Sequence, residues 1–175
     1  MRSGEPSQRL VFFHGAGGYV EDRRLADAVG ASLGADVVMP RMPDEDMSVG
    51  AWSALVRAEL GMLGPDDFLV GHSFGASILL GILREPGWAP GLRVALLAMP
   101  DWGPDGWAVD KYVLDGPEPE CLVSLHHCRD DAVVPFSHLA LTASRLPTAQ
   151  VVAYVSGGHQ FEGRAAEVAG WLRNR

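Results

Sequence analysis

Two apolar patterns alternate along the chain. Short runs end in glycine, proline or a polar residue: Leu10–Phe13, Asp36–Met39, Phe68–Val70, Val94–Ala98, Leu122–Leu125 and Val151–Val155. They lack the polar alternation of half-exposed strands, so they predict strands buried on both faces. Between them apolar residues recur at helical spacing: Leu25, Ala28, Val29 and Leu33; then Trp52, Leu55, Val56, Leu60 and Leu63, with Ser48 placed to cap the start. Leu79, Leu80 and Leu83 form a third stripe, Leu139, Leu141 and Leu146 a weaker fourth, and Val168, Trp171 and Leu172 a last one. Strand and helix in alternation predict an α/β fold: about six parallel strands with helices on both faces, in three α/β/α layers.

One interval breaks the alternation. Residues 100–119 are rich in proline, glycine and aspartate and carry Trp102, Trp107 and Tyr112. They are too irregular for a strand–helix unit and too few for a domain. The expectation is one domain over 1–175, with 100–119 as an excursion above the sheet. Ligands of open α/β sheets bind beyond the carboxyl ends of the strands, so it could roof a site; a plain surface loop is the alternative.

Composition narrows the function. The chain has 175 residues, 47% hydrophobic and 21% charged, as expected for a globular domain with one core. Its net charge of −8 argues against a nucleic-acid surface. No uncharged apolar run reaches the roughly 18 residues of a membrane span. Cys121 and Cys128 form no CxxC motif or disulfide framework, and Met1–Arg9 is polar, unlike a signal peptide. These features predict a cytoplasmic protein without a membrane partner.

The candidate chemistry begins at "DDFLVGHSFGASILLGIL", Asp66–Leu83, which sets Ser73 between Gly71 and Gly75. A G-x-S-x-G pattern alone is weak. Here it joins a buried strand to a helix, the turn that lifts a serine oxygen clear of a sheet. A β-carbon at either glycine would collide in so tight a turn. A serine nucleophile needs a base, and the base an orienting acid, in the chain order serine, acid, histidine. Among six histidines, His159 fits best: it follows the last strand on the glycine-freed loop "VSGGHQF". His72 adjoins the serine and should point elsewhere. The preceding strand ends in "HHCRDDAVVPF", which offers Asp130 and Asp131.

The first strand runs into His14-Gly15-Ala16-Gly17-Gly18. A tetrahedral intermediate needs backbone N–H donors, and Ala16 and Phe74 are the candidates. A dinucleotide loop is the alternative, but the full G-x-G-x-x-G spacing is absent. Tyr19, Phe74, Trp102 and Trp107 are candidate substrate-lining residues. His126, His127, Cys128, Asp130 and Asp131 could suggest a metal. Neighbours on a strand point to opposite faces and cannot all converge, so neither metal nor cofactor is expected.

The stretches "VFFHGAGG", "MPRMPDEDMSVGAW", "FLVGHSFGASILL", "RDDAVVPF" and "SGGHQF" together resemble α/β-hydrolases. They are most similar to the small, nearly lidless serine hydrolases of the YdeN and retinoblastoma-binding-protein type. The resemblance implies a nucleophile at Ser73, an acid at Asp131, a base at His159, and oxyanion donors at Ala16 and Phe74. It implies cleavage of a small carboxylic ester or thioester through an acyl-serine, without cofactor. A binding or receptor protein on the same fold is the alternative function. Asp130, one residue nearer the strand, is expected to be a solvated turn residue, and Pro135 to open the next helix.

Overall fold

A computed structural model describes residues 8–173; the polar opening read as lacking a leader falls outside these, except for Gln8 and Arg9. Six strands form one sheet: β1 Arg9–Phe13, β2 Asp36–Val38, β3 Phe68–His72, β4 Arg93–Leu97, β5 Leu122–Cys128 and β6 Gln150–Tyr154. Their order is β2-β1-β3-β4-β5-β6, and every pairing is parallel. Apart from the edges, the strands are sealed on both faces, hence the unbroken apolar runs.

Helices α1 (Arg23–Leu33) and α5 (Ala165–Arg173) cover one face, packing Leu25, Val29, Val168 and Leu172 on Leu10, Phe12 and Val70. On the other face α2 (Val49–Leu60), α3 (Phe74–Leu83) and α4 (Ser137–Ser144) enclose a core with Val11, Phe13, Trp52, Leu79 and Leu96. Ser48 caps α2 as expected, its hydroxyl accepting the Ala51 amide. Pro135 lies just outside α4, which starts at Ser137.

Helix α3 is apolar almost all round, with nine of its ten residues buried. The sheet can cover only one side. The 100–119 excursion helps cover the other: Tyr112, Val113 and Leu114 pack on that core around a single 3-10 turn, Asp110–Tyr112. The Tyr112 hydroxyl bonds the Met47 carbonyl, and the Arg84 guanidinium holds the carbonyls of Gly116 and Pro117. Part of the segment read as a roof is thus a packed cover for the central helix.

Strand order reverses beside β1. From β1 the chain passes outward to β2; from β3 it proceeds the opposite way to β4, β5 and β6. The carboxyl ends of β1 and β3 therefore flank a topological switch point, where open α/β sheets hold their ligands. Among the described residues, no helix is long and apolar enough to cross a membrane.

Candidate active site

Ser73 occupies that switch point. It follows β3 directly and precedes α3, with φ 52° and ψ −122°, a conformation that normally demands glycine. Its amide donates to the Leu97 carbonyl at 2.8 Å, and its carbonyl accepts the Ala76 amide at 3.1 Å, so backbone bonds on both sides fix the turn. The flanking glycines are a steric requirement. A β-carbon on Gly71 would lie 2.7 Å from the Ala76 Cα, and one on Gly75 would lie 2.4 Å from the His14 carbonyl oxygen.

The turn after β1 meets this elbow from the side: a β-carbon on Gly15 would lie 3.0 Å from that of Ser73. The buried His14 sets the turn's orientation. Its Nε2 accepts the Met42 amide at 3.0 Å, so the ring proton sits on Nδ1 and is donated to the Gly15 carbonyl at 2.6 Å. The Gly18 amide bonds the same oxygen at 2.9 Å. In a trans peptide the N–H points opposite to the C=O, so anchoring the Gly15 carbonyl turns the Ala16 N–H away from both anchors. Ala16 is exposed, and neither its amide nor that of Phe74 donates to any described residue.

Asp131 and His159 come together as the resemblance implied. His159 Nδ1 lies 2.8 Å from Asp131 Oδ2, and the His159 side chain is 15% exposed while the Asp131 carboxylate is fully buried. Asp131 Oδ1 accepts the Val133 and Val134 amides at 2.8 and 2.9 Å. Burial pushes this carboxyl up, but hydrogen bonds from His127, His159 and Val133 outweigh it and hold the group well below the usual carboxylate range. An ionised Asp131 fixes the His159 proton on Nδ1 and leaves Nε2 free to accept one.

Asp130 is solvated, as expected, but it does not face away from the site. It is exposed, yet its carboxylate accepts the Gly157 and Gly158 amides at 3.2 and 2.8 Å, and so fastens the His159 loop. His72 does point away from solvent, toward Asp22 and the His159 carbonyl.

The remaining candidates divide. Rings run in contact from Tyr19 through His14, Trp52, Phe74 and Trp102 to Trp107. Within this arc Trp102 is buried, its indole N–H on Ser77 Oγ at 2.9 Å, so it serves as a wall. Trp107 is exposed and Tyr19 half-buried. Phe74 and Ser77 also line a cleft of about 150 Å3 with Ser53, Ile78 and Tyr112. His126 and His127 serve opposite faces: His126 bonds Ser124 and Tyr154, whereas His127 bonds the Val134 carbonyl. Burial depresses His126 to about 3 and pushes the Cys128 thiol up to about 12, so neither suits proton transfer or nucleophilic attack at neutral pH.

Sequence reasoning named neither Asp22 nor Gln160, and it gave His14 and Asp130 no part in this assembly. His14 had a usable signal in its place at the end of the first strand before a glycine turn, and Asp130 in its place beside Asp131.

No family model matches the sequence, and no significant match appears among curated proteins. Solved structures do match. The Bacillus subtilis ydeN product aligns over 95% of this chain and 92% of its own, at 18% identity and TM-score 0.66. The chain has the α/β-hydrolase fold. Mouse alpha/beta hydrolase domain-containing protein 10 matches over 93% of this chain and 86% of its own, at 16% identity and TM-score 0.70. The esterase domain of a Rhodothermus marinus protein matches over 96% and 85%, at 15% identity and TM-score 0.65. The six-stranded sheet is a minimal form of this fold, and the YdeN resemblance covers nearly the whole chain.

Proposed function

We propose that the chain is a serine hydrolase that cleaves carboxylic esters or thioesters through an acyl-serine intermediate, in the cytoplasm. The observation that carries this reading is the hydrogen-bonded Asp131–His159 pair, on a loop whose His159 carbonyl lies 2.8 Å from the ring of His72, the residue before a serine held at positive φ. Ser73 Oγ attacks the carbonyl carbon as His159 Nε2 takes its proton. The oxyanion that forms is met by the Ala16 and Phe74 N–H groups. Collapse of the intermediate expels the alcohol or thiol, which takes the proton from His159. Water, deprotonated by the same nitrogen, then attacks the acyl-serine and releases the acid. The exposed Trp107 and half-buried Tyr19 are proposed to contact the substrate, with Trp102 behind them.

A fluorophosphonate probe followed by peptide mass analysis tests the nucleophile, and p-nitrophenyl esters of increasing acyl length test the substrate class. Labelling confined to Ser73, with turnover of short esters, supports the reading. Absence of both would leave the alternative, a binding protein on this fold.

A further inference from the structure

Behind Asp131 and His159 lies a second histidine–aspartate pair, which the reaction above does not use. His72 and Asp22 are each 1% exposed, with His72 Nδ1 2.7 Å from Asp22 Oδ2. His72 Nε2 lies 2.8 Å from the His159 carbonyl oxygen, which can only accept, so that nitrogen carries a proton. A bare Nδ1 would then oppose a carboxylate, lone pair to lone pair. A second proton therefore lies between His72 and Asp22, and the pair is an imidazolium–carboxylate bridge.

Asp22 gathers more than His72. Its Oδ2 also accepts the Gly15 amide at 2.8 Å, and its Oδ1 accepts the Gln160 side-chain amide at 2.9 Å. A β-carbon on Gly18 would lie 2.8 Å from that carboxylate, so the turn after β1 is closed down on it. Asp22 stands at the N-cap of α1, where aspartate normally accepts an amide of its own helix, yet its side chain makes no such bond. The carboxylate is committed instead to three segments far apart in sequence: the oxyanion turn, the residue before the nucleophile, and the loop bearing His159. Burying such a bridge carries a desolvation cost that apolar side chains of the same volume would avoid, so stability alone is a poor reason for it.

We propose that Asp22 is a positioning residue, which with His72 locks the oxyanion turn and the His159 loop to each other across the nucleophile elbow. This rests on the serine hydrolase reading. Two gaps must be held at once, from Ser73 to His159 and from the substrate oxygen to Ala16, and Asp22 bonds to the segments that set both. A displacement near 1 Å at such a site costs about 100-fold in turnover.

The test is Asp22→Asn. An amide cannot replace the carboxylate at both partners of Oδ2: its NH2 there meets a bare His72 Nδ1 but loses the Gly15 bond, and its oxygen there keeps Gly15 but leaves a singly protonated His72 one bond short. The variant should lose about 10- to 100-fold in kcat on p-nitrophenyl acetate with KM nearly unchanged. Adding His72→Asn should cost little more, since both act through one bridge. Hydrogen exchange should quicken together in peptides covering 15–18 and 157–161, and remain unchanged in β4. An unchanged kcat, additive losses, quickening in one segment alone, or quickening throughout the chain would each overturn the proposal. Should Asp22→Asn fail to fold, Gln160→Ala removes a single arm: faster exchange at 15–18, across the elbow, supports the lock, and none overturns it. A wild type that neither labels nor turns over ester sinks the reading of the reaction; the paired exchange measurement then decides whether the lock exists.

Discussion

Replacing Asp131 by asparagine is the perturbation whose outcome the geometry constrains most tightly. Oδ1 accepts two backbone amides, from Val133 and Val134, and those groups can only donate. The asparagine oxygen must therefore remain there, because the flipped amide would set NH2 against two donors. Its nitrogen then takes the place of Oδ2, 2.8 Å from His159 Nδ1. An NH2 group in that position donates to Nδ1 and drives the ring proton to Nε2, the nitrogen that has to be bare to accept from Ser73. A wrong tautomer of this kind costs about 10⁴ in kcat with the site otherwise intact. That is about 5.5 kcal/mol of lost transition-state stabilisation. Asp130→Asn provides the contrast. One amide oxygen can still accept from Gly158, the shorter of the two bonds, so turnover should stay within a few-fold, whereas Asp130→Ala frees both amides and should cost more. The assay is kcat and KM on p-nitrophenyl acetate for the three purified variants, with circular dichroism to confirm folding. Turnover by Asp131→Asn within an order of magnitude of wild type would refute the tautomer argument, and a crippled Asp130→Asn beside an active Asp131→Asn would reverse the assignment.

Other outcomes follow from the same contacts. Ser73→Ala should abolish turnover with little change in thermal unfolding, while Ser73→Gly should be equally inert yet more stable than Ser73→Ala by about 1 kcal/mol, since glycine relieves the positive φ; equal melting temperatures would show that the elbow is not strained. Gly75→Ala should yield no stable protein, because its β-carbon would meet the backbone oxygens of Phe13 and His14, whereas Gly50→Ala, facing open space on α2, should be neutral or stabilising in urea unfolding. Burial alone would raise the Asp22 carboxyl, but the His72 bond and charge with the Gly15 and Gln160 bonds hold it down from 3.8 to about 2. Its depressed value means that Asp22 adds about 2 kcal/mol of stability above pH 4, lost as pH falls toward 2, so the urea-unfolding gap between wild type and Asp22→Asn should shrink from pH 7 to pH 2.5.

The strands were legible to within a few residues, since a parallel strand sealed on both faces writes itself as an apolar run. β5 is the instructive exception. It continues past Leu125 through His126, His127 and Cys128, all buried, although two of these are polar. The histidines enter the interior on hydrogen bonds to Ser124, Tyr154 and Val134, and hydropathy cannot register such bonds. Ser73, Asp131 and His159 could be proposed because each follows a strand in a fixed chain order. Asp22 and Gln160 could not: their bond spans 138 residues, and neither sits in a recognisable local pattern. Asp130 failed for another reason. Alternation of facing holds within a strand, but Asp130 and Asp131 lie in the turn beyond β5, where neighbouring carboxylates can serve the same loop, one binding its backbone and the other its imidazole.

The two histidine–aspartate pairs also show why similar parts should have unlike roles. Each histidine sets Nδ1 against a carboxylate oxygen, at 2.7 Å for His72 and 2.8 Å for His159. They differ at Nε2. That of His72 is closed on a carbonyl oxygen in a dry interior, so the ring has no nitrogen left to exchange a proton with a substrate and can act only through geometry. That of His159 bonds no described residue, on a side chain that still reaches solvent, so the ring can gain a proton and return it. The two pairs are also joined: the backbone carbonyl that His72 holds belongs to His159 itself. A histidine directly before the proposed nucleophile is therefore more than filler in the elbow. From that position one imidazole bonds both the Asp22 carboxylate, beneath the turn after β1, and the loop that carries His159, links that no apolar side chain could make.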